Sequence, residues 1–507
     1  MNNKTTSEIM LILLLVGSLT LFFKVQPVQA VTQKITVPDD YMTIQEAINA
    51  ANSGDTIFVR ARVYYENIVV NKTVVLIGEN RRNTVIDGNE IGIAINVTAS
   101  NVVVSGFTVR GGGYGWLSGG IYIDGCTNVT IQNNTIANNI YGIVLREASN
   151  NTVAENHITA NQYNGIRLSE LSNNNTISGN IITKNSYEGI YLDSSNNNTI
   201  CRNHITNNDA IGIRVESSKN NTICENNVAS NGIAGYYYGR GIYLGAAHNN
   251  TVSRNNIADN GEGLYLSSSD GNHITKNNIT DNWSSYGVEI SSGSSNIFCH
   301  NNFINNRKQA YNYYLGNIWD DGYPSGGNYW SDYNSSDLYY GPSQNITGSD
   351  GIGDMPHYAS FHVTDNYPLM GPINTFDVGI WNGKPYTVDI VSNLAVSAFQ
   401  LDATEKVIGF NVSGTDVIAG FCRITIPNVI IQTMWLSDYT LFINSESQTF
   451  RNWTDATNTY IYVDNVHPEN EVIIIPELPS SIILPLLLIL FLLVIVLAKQ
   501  RFPRKLG

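Results

Sequence analysis

A recurring row of aromatic and charged side chains is the best candidate for a binding surface in this sequence. It occupies one position, x, of a repeated strand that reads roughly Gly-Ile-x-Leu. In chain order the x residues are Tyr122, Val144, Arg167, Tyr191, Arg214, Tyr243, Tyr265 and Glu289. If successive copies stack strand on strand, these side chains form one outward row with a spacing of about 4.8 Å.

The chemistry of this row suits a sugar chain. Tyrosine rings stack on pyranose rings, while Arg and Asp make polar contacts with hydroxyl or carboxylate groups. The alternative is that Tyr and Arg are ordinary strand-surface residues without a ligand. The predicted glycan-binding residues are Tyr122, Arg167, Tyr191, Asp193, Arg214, Tyr243 and Tyr265.

The same row offers weak candidates for catalysis. A lyase or epimerase needs a base near a cation that holds a uronate. Arg167, Arg214, Asp193 and Glu216 have these chemistries, but no motif singles them out. The chain is therefore interpreted as a binding or structural protein, with a polysaccharide-active enzyme (lyase, epimerase or hydrolase) as the alternative.

The row depends on a repeat that runs from Gly120 to Asn306. Each copy carries one asparagine in register with the next, at intervals of 22 to 29 residues, and a second asparagine five positions later. Periods of this length are typical of solenoids. The first asparagine column is Asn134, Asn156, Asn180, Asn203, Asn226, Asn255, Asn277 and Asn301.

Short alternating runs in each copy predict strands rather than helices. Stacked copies then form a parallel β-helix of about 10–11 coils over residues 31–310, with Ile190, Leu192, Ile200 and Ile205 pointing inward. The asparagine amides are expected to hydrogen-bond from coil to coil at the corners. The helical pattern from Tyr41 to Ala51 is expected to cap the N-terminal end of the core.

The entry segment resembles pectin-lyase-like proteins, a class that includes the NosD-type surface proteins of prokaryotes, especially archaea. The resemblance rests on motifs such as Thr43-Ile44-Gln45-Glu46-Ala47-Ile48 and Leu76-Ile77-Gly78-Glu79. It implies a right-handed parallel β-helix. The NosD name also implies copper handling, a third functional alternative, although His157, His204, His248, His273 and His300 are scattered without neighbouring Met or Cys clusters.

Residues 311–371 are rich in Trp, Tyr, Gly and Asp and resemble the segment that closes NosD-type β-helices. Asp350 and Asp354 are weak calcium candidates, because their spacing is not that of an EF-hand loop and a plain Asp/Gly turn explains them as well. No other cofactor is expected. Residues 372–472 contain alternating runs parted by turn residues and predict a β-sandwich of the Ig-like kind.

Both ends of the 507-residue chain are apolar. Residues 1–30 are expected to be a signal peptide, residues 473–481 a linker, residues 482–498 a transmembrane helix and residues 499–507 a basic cytoplasmic tail. This arrangement predicts a single-pass membrane protein whose bulk is extracellular. Recurrent sequons at Asn174, Asn197, Asn220 and Asn249 are compatible with a glycoprotein.

The formal net charge of −14 makes nucleic acid an improbable partner. The sequence leaves the oligomeric state open. Cys201 and Cys224 are expected on adjacent coils within disulfide range, and a bridge and two free thiols are both compatible with that spacing.

Overall fold

The computed structural model describes residues 32–232, 239–414, 419–435 and 438–477. The predicted signal peptide, transmembrane helix and basic tail lie outside these residues, as do residues 478–481 of the predicted linker. Within the described part of the chain, no helix is both long and apolar enough to cross a membrane.

The larger part of the protein is a parallel β-solenoid with three sheets. Counting the described residues only, sheets A and B have 12 strands each and sheet C has 11. Each full coil of the repeat supplies one strand to sheet C, then one to sheet A and one to sheet B. This confirms the predicted parallel β-helix.

The strands of each sheet follow in chain order. Sheet A contains Lys34–Val37, Thr56–Val59, Val75–Gly78, Val103–Ser105, Thr130–Gln132, Thr152–Ala154, Thr176–Ser178, Thr199–Cys201, Thr222–Cys224, Thr251–Ser253, His273–Thr275 and Ile297–Cys299. Sheet B contains Val63–Tyr65, Val85–Asp87, Thr108–Arg110, Thr135–Ala137, His157–Thr159, Ile181–Thr183, His204–Thr206, Asn227–Ala229, Asn256–Ala258, Asn278–Thr280, Asn302–Ile304 and Tyr329–Trp330. Sheet C contains Ile68–Val70, Ile91–Val97, Tyr114–Asp124, Ile143–Arg146, Ile166–Ser169, Ile190–Asp193, Ile213–Glu216, Arg240–Gly245, Glu262–Ser267, Val288–Ile290 and Ala310–Asn312.

One hydrophobic core runs along the solenoid axis. The inward residues predicted from the repeat, Ile190, Leu192, Ile200 and Ile205, are all 0% exposed. Because each coil repeats the same inward positions, its apolar side chains pack between those of the coils above and below.

The predicted asparagine columns form hydrogen-bonded ladders at the corners. Asn203 shows the pattern: its backbone N–H and its Nδ2 both donate to Asn226 Oδ1, at 2.9 and 3.0 Å. Its Nδ2 also donates to the carbonyl of Ile177 at 2.9 Å. The ladder thus gives buried amide groups the partners they would otherwise lack. A third ladder, absent from the sequence prediction, contains Asn151, Asn175, Asn198, Asn221, Asn250, Asn272 and Asn296.

The tight corners require special backbone geometry. The residue before the first ladder asparagine adopts a left-handed conformation, with φ of 60° at Arg202 and 56° at Arg254. At the start of the sheet C strands, a Cβ on Gly142 would lie 2.3 Å from the carbonyl oxygen of Gly165. The glycine column is therefore needed for adjacent coils to approach closely.

Both ends of the core are covered. At the N-terminal end the helix Ile44–Ala50 buries Ile44, Ala47 and Ile48, and Thr43 forms a capping box with Glu46. At the other end parallel pairing continues past residue 310, since Tyr329–Trp330 pairs with sheet B. There the Trp330 ring stacks on Phe303 with centroids 4.2 Å apart.

The C-terminal region forms small antiparallel sheets. Two hairpins pair Tyr339–Tyr340 with Ile346–Thr347 and His357–Ser360 with Val363–Asp365. One five-stranded sheet has the order Ile373–Trp381, Lys384–Ser392, Gly420–Pro427, Asn458–Val466 and Arg451–Thr454. The other has the order Ala395–Asp402, Val407–Ser413, Glu471–Pro476, Tyr439–Ile443 and Glu446–Gln448. Both five-stranded sheets and the helix Asn428–Met434 contribute to one hydrophobic cluster.

The cysteines separate into one bridge and three buried thiols. Cys201 and Cys224 form a disulfide between adjacent coils, with Cα atoms 4.6 Å apart. Cys126, Cys299 and Cys422 are free and buried. Of the two states that the sequence left open for Cys201 and Cys224, the structure has the bridge.

Candidate functional site

The predicted row lies on the outward face of sheet C, in the predicted order. Strand register pairs Val144 with Arg167, Arg167 with Tyr191, Tyr191 with Arg214, and so on along the sheet to Glu289. One further strand adds Tyr311 beyond Glu289. We call the side chains from Arg167 to Tyr311 the sheet C row.

Within the row, arginine and tyrosine side chains stack on one another. The guanidinium carbon of Arg214 lies 5.0 Å from the ring centroid of Tyr191 and 5.4 Å from that of Tyr243. Tyr243 and Tyr265 stack with centroids 5.6 Å apart and an interplanar angle of 8°. These ring faces are covered by the neighbouring coils, so the row offers ring edges and polar groups to a ligand. The sequence predicts that sugar rings stack on these tyrosine faces, whereas in the structure neighbouring side chains of the row already cover them.

Carboxylates neutralise the charge of Arg214, one of the two arginines of the row. Arg214 pairs with Glu188 at 3.2 Å and with Glu216 at 2.5 Å. Glu216 also accepts a hydrogen bond from the hydroxyl of Tyr191 at 3.2 Å. Burial, and then the nearby carboxylates, raise the pKa of Tyr191 to about 12, so this hydroxyl remains a proton donor.

Arg167 differs from Arg214. Its guanidinium carbon lies 5.9 Å from the ring centroid of Tyr141 and 5.5 Å from that of Tyr191. Within the described residues it has no carboxylate partner. It is also partly exposed. Arg167 is therefore the row cation best placed to donate hydrogen bonds to a ligand.

The N-terminal end of the predicted row is closed. Tyr122 is only 4% exposed and Val144 is 5% exposed. Burial raises the pKa of Tyr122, and Arg146 next to it opposes this effect. Tyr122 was predicted to bind a ligand, but its side chain is packed against the protein, which the repeat pattern alone does not reveal.

A second aromatic stack beside the row was missed at the sequence level. Tyr141 stacks on Tyr163 with centroids 5.1 Å apart, and the ring of Tyr187 lies tilted by 37° against that of Tyr163 with centroids 5.4 Å apart. Tyr163 and Tyr187 are 39% and 50% exposed, more than the buried Tyr122. The signal was present, since each tyrosine lies one or two residues before a strand-opening glycine.

The column just before these glycines also holds a buried ion pair that sequence reasoning missed. Arg240 Nε lies 2.7 Å from Glu262 Oε2, and their side chains are 9% and 7% exposed. Burial raises the pKa of Glu262 well above its usual range, although Arg240 acts in the opposite direction. The guanidinium of Arg240 covers the ring of Tyr265, with 3.6 Å between the guanidinium carbon and the ring centroid.

The four weak catalytic candidates lie close together on sheet C. Arg167 and Tyr191 are register partners, as are Asp193 and Glu216. Glu216 is held by Arg214 and Tyr191, and Asp193 accepts a hydrogen bond from Ser194 at 3.1 Å. These contacts hold the side chains in place on the sheet surface.

The calcium candidates Asp350 and Asp354 make hydrogen bonds within residues 311–371, which we call the closing segment. Asp354 accepts hydrogen bonds from the backbone N–H groups of Leu338 and Tyr339. Asp350 is 0% exposed and accepts from the N–H of Ile352 at 3.0 Å. Across the described ranges, no three His, Cys, Asp or Glu side chains are grouped so that they could hold a metal ion.

The family described as periplasmic copper-binding protein (NosD) matches residues 48–241 and 237–335, more than half of the chain. The chain belongs to the NosD family. In this NosD-family protein, His157 and His204 are register neighbours of Ile181 on opposite sides and so lie two coils apart.

A cell surface glycoprotein of Methanothermus fervidus is 33% identical over 112 residues, which is 22% of this chain and 18% of that protein. The chain therefore aligns with less than a fifth of that relative's length. Among solved structures, the A-module of a mannuronan C-5 epimerase from Azotobacter vinelandii aligns at 20% identity over 54% of this chain and 92% of the module, with a TM-score of 0.45. PfbA, a surface adhesin of Streptococcus pneumoniae, aligns at 16% identity over 57% of this chain and 92% of the adhesin, with a TM-score of 0.45.

Proposed function

We propose that this protein works at the cell surface and that its sheet C row binds a glycan. The observation that supports this proposal is the unbroken register of Arg167, Tyr191, Arg214, Tyr243 and Tyr265 on successive coils. Their polar edges recur at the strand spacing of about 4.8 Å. A sugar chain laid along the solenoid axis would meet one polar group for each monosaccharide.

The charge pattern favours an uncharged glycan. Arg214 and Arg240 are already paired with glutamates, and the whole chain carries a net charge of −14. A polyanion would be repelled in bulk and would find few unpaired cations in the row. The ligand's hydroxyl groups would instead accept from Arg167 and exchange hydrogen bonds with the tyrosine hydroxyls, while Tyr163 and Tyr187 offer exposed ring surface.

Surface location is part of the proposal. It is supported by the relative named a cell surface glycoprotein and by the four recurrent sequons, whose asparagines are all exposed at one corner of the solenoid. We propose export by a signal peptide cut after Ala30 and anchoring by residues 482–498. Sequencing the mature N terminus and labelling intact cells would test this; a mature chain that begins at Met1 and stays inaccessible from outside would contradict it.

A polysaccharide-active enzyme is the second candidate. The observation in its favour is the raised pKa of Glu262 beside the row, because a protonated carboxyl group can act as a general acid. However, the Glu262 side chain is only 7% exposed, which favours binding over catalysis. A copper-handling role is the third candidate, and it rests on the family description alone.

A glycan array probed with the purified full-length protein tests the main proposal. We expect binding to a neutral glycan that is weakened at least about ten-fold by Arg167→Ala and by Tyr191→Ala combined with Tyr243→Ala. Tyr65→Ala is a matched control, because Tyr65 is 65% exposed on sheet B. Arg82→Ala is the corresponding arginine control, since Arg82 is exposed away from the row.

Three results would count against the proposal. Binding that survives both row variants would move the site elsewhere, and the absence of any glycan signal would favour a purely structural role. Appearance of a shortened or unsaturated sugar during incubation would favour the enzyme.

A further inference from the structure

A polar cavity lies where the solenoid, its closing segment and the C-terminal sheets meet. Its volume is about 340 Å³, within the range of small-molecule sites, which often lie between structural units. Lys276 and His300 enter it from the solenoid, Asp321 from the closing segment, and Asp389 and Tyr460 from the C-terminal sheets. The row occupies sheet C, so this cavity is a separate site.

The solenoid wall of the cavity is the corner between sheets A and B. Arg254, Lys276 and His300 occupy equivalent corner positions on three successive coils, each with φ between 56° and 58°. Arg254 forms an ion pair with Asp377. Lys276 Nζ lies 2.8 Å from Asp389 Oδ2 and 3.0 Å from Thr387 Oγ1. These contacts attach the C-terminal sheets to the corner and hold the cavity walls in place.

Asp389 carries the observation that points to a ligand. The residue is 8% exposed and uses only Oδ2 in its ion pair with Lys276. Its other oxygen, Oδ1, is buried and has no hydrogen-bond partner among the described residues. Leaving a buried carboxylate oxygen unpaired costs free energy, typically about 1–3 kcal/mol or more. A hydroxyl donor within the cavity would remove that cost.

The remaining lining indicates what kind of molecule would fit. Three cations, Arg254, Lys276 and Arg423, face three carboxylates, Asp321, Asp377 and Asp389. Burial lowers the pKa of His300, which keeps its ring neutral near pH 7. A charged ligand would therefore leave one set of charges unbalanced.

The cavity also has apolar and aromatic surface. Leu369, Ile373 and Val391 line it together with the aromatic side chains of Tyr386 and Tyr460. Fixed polar groups beside such surface suit a molecule with hydroxyl groups at its edge and C–H groups on its faces.

We propose that this cavity binds one uncharged, hydroxyl-rich molecule of monosaccharide size, with a hydroxyl group donating to Asp389 Oδ1. The ligand contacts both the solenoid and the C-terminal sheets, so its binding stabilises their attachment. This site goes beyond the glycan row, and neither site requires the other.

Isothermal titration calorimetry of the full-length protein tests the cavity with glucose, galactose, mannose and N-acetylglucosamine at millimolar concentrations. We expect at least one sugar to bind and to raise the melting temperature. Asp389→Asn should weaken that binding about ten-fold or more, because it removes the charged acceptor. Asp402→Asn is the matched control within the C-terminal sheets, since Asp402 is exposed and does not line the cavity.

A second variant guards against loss of folding in Asp389→Asn. Thr387→Phe leaves Asp389 in place but adds bulk to the cavity wall, so it should abolish sugar binding while the circular dichroism spectrum is kept. The natural ligand could be a free monosaccharide or the end of a glycan chain, and both belong to the proposed ligand class. Methyl glycosides and disaccharides of the sugar that binds distinguish these two sources. If they fail to bind, the ligand is a free monosaccharide; if they bind, it is the end of a glycan chain.

Two outcomes would overturn the proposal. One is the absence of heat and of any melting-temperature shift with all four sugars; the other is unchanged affinity in both Asp389→Asn and Thr387→Phe. The row is tested separately, because Arg167→Ala should leave monosaccharide binding intact and Thr387→Phe should leave array binding intact. Failure of one site is therefore distinguishable from failure of the other.

Discussion

Replacing one ladder asparagine should destabilise the solenoid far more than replacing its neighbour. Asn255 is 1% exposed, and its Oδ1 accepts from both the backbone N–H and the Nδ2 of Asn226, each at 2.9 Å. Its own Nδ2 donates to the carbonyl of Ile223 at 2.9 Å and to Asn277 Oδ1 at 2.9 Å. Asn255→Ala removes all of these contacts at a buried position.

The magnitude follows from the groups left without partners. The backbone N–H of Asn226 and the carbonyl of Ile223 each lose this partner inside the solenoid, at roughly 1–3 kcal/mol per group. We therefore expect Asn255→Ala to lower the free energy of unfolding by about 4 kcal/mol. Asn256 is the next residue in the chain but is exposed, and it makes one side-chain contact to Asn227 at 2.7 Å. Asn256→Ala should cost about 0.5 kcal/mol or less.

Urea unfolding followed by circular dichroism measures the difference, and hydrogen exchange at the amide of Asn226 reports the local effect. Because coils contact mainly their neighbours, part of the loss should be confined to the coils around the substitution. If Asn255→Ala and Asn256→Ala unfold at the same urea concentration and protect the Asn226 amide equally, the ladder does not stabilise the solenoid as argued.

Three further changes test other parts of the fold. Titration of thiols in unfolded, unreduced protein should detect three of the five cysteines, and five free thiols would contradict the bridge. The double variant Cys201→Ser, Cys224→Ser should lower the free energy of unfolding by about 3 kcal/mol. Burial raises the pKa of Asp365 from 3.8 to about 7. Its contribution to the free energy of unfolding, up to about 4 kcal/mol, is therefore fully present below pH 3.8 and is lost as the pH rises from 3.8 through about 7. Asp365→Asn should flatten the stability–pH curve between these two values, and an unchanged slope would refute the assignment. Trp330→Ala should lower the free energy of unfolding, measured by chemical denaturation, by about 3–5 kcal/mol because Trp330 is 1% exposed. Trp283→Ala should lower it little because Trp283 is 55% exposed. Equal losses of stability would show that Trp330 does not close the core.

Much of the architecture could be predicted from local pattern because a solenoid repeats its contacts. Once Asn203 and Asn226 are equivalent in sequence, their side chains must meet when the coils stack, and the structure has that contact. The same reasoning placed Arg167 beside Tyr191. The third asparagine ladder was missed because its residues lie in turns that read as Asn/Ser-rich sequons rather than as a buried column.

The site was less predictable, because it depends on how side chains pack rather than on which residues are neighbours. Tyr122 has the same repeat position as Tyr243, but Tyr122 is 4% exposed while Tyr243 is partly exposed and stacked. Period-two alternation indicates only that both point outward. It does not indicate that ring faces will be covered by the neighbouring coil.

The sequence by itself determined the coil, the core and the order of the sheet C row, because each depends on contacts between equivalent residues of adjacent repeats. Only the tertiary structure decided which parts of that row remain open and where the C-terminal sheets attach. The attachment joins Lys276 to Asp389, residues far apart in the chain and related by no repeat, so no local pattern encodes their meeting. The cavity beside them exists for the same reason, since its walls come from the solenoid, the closing segment and the C-terminal sheets, which are related by no repeat.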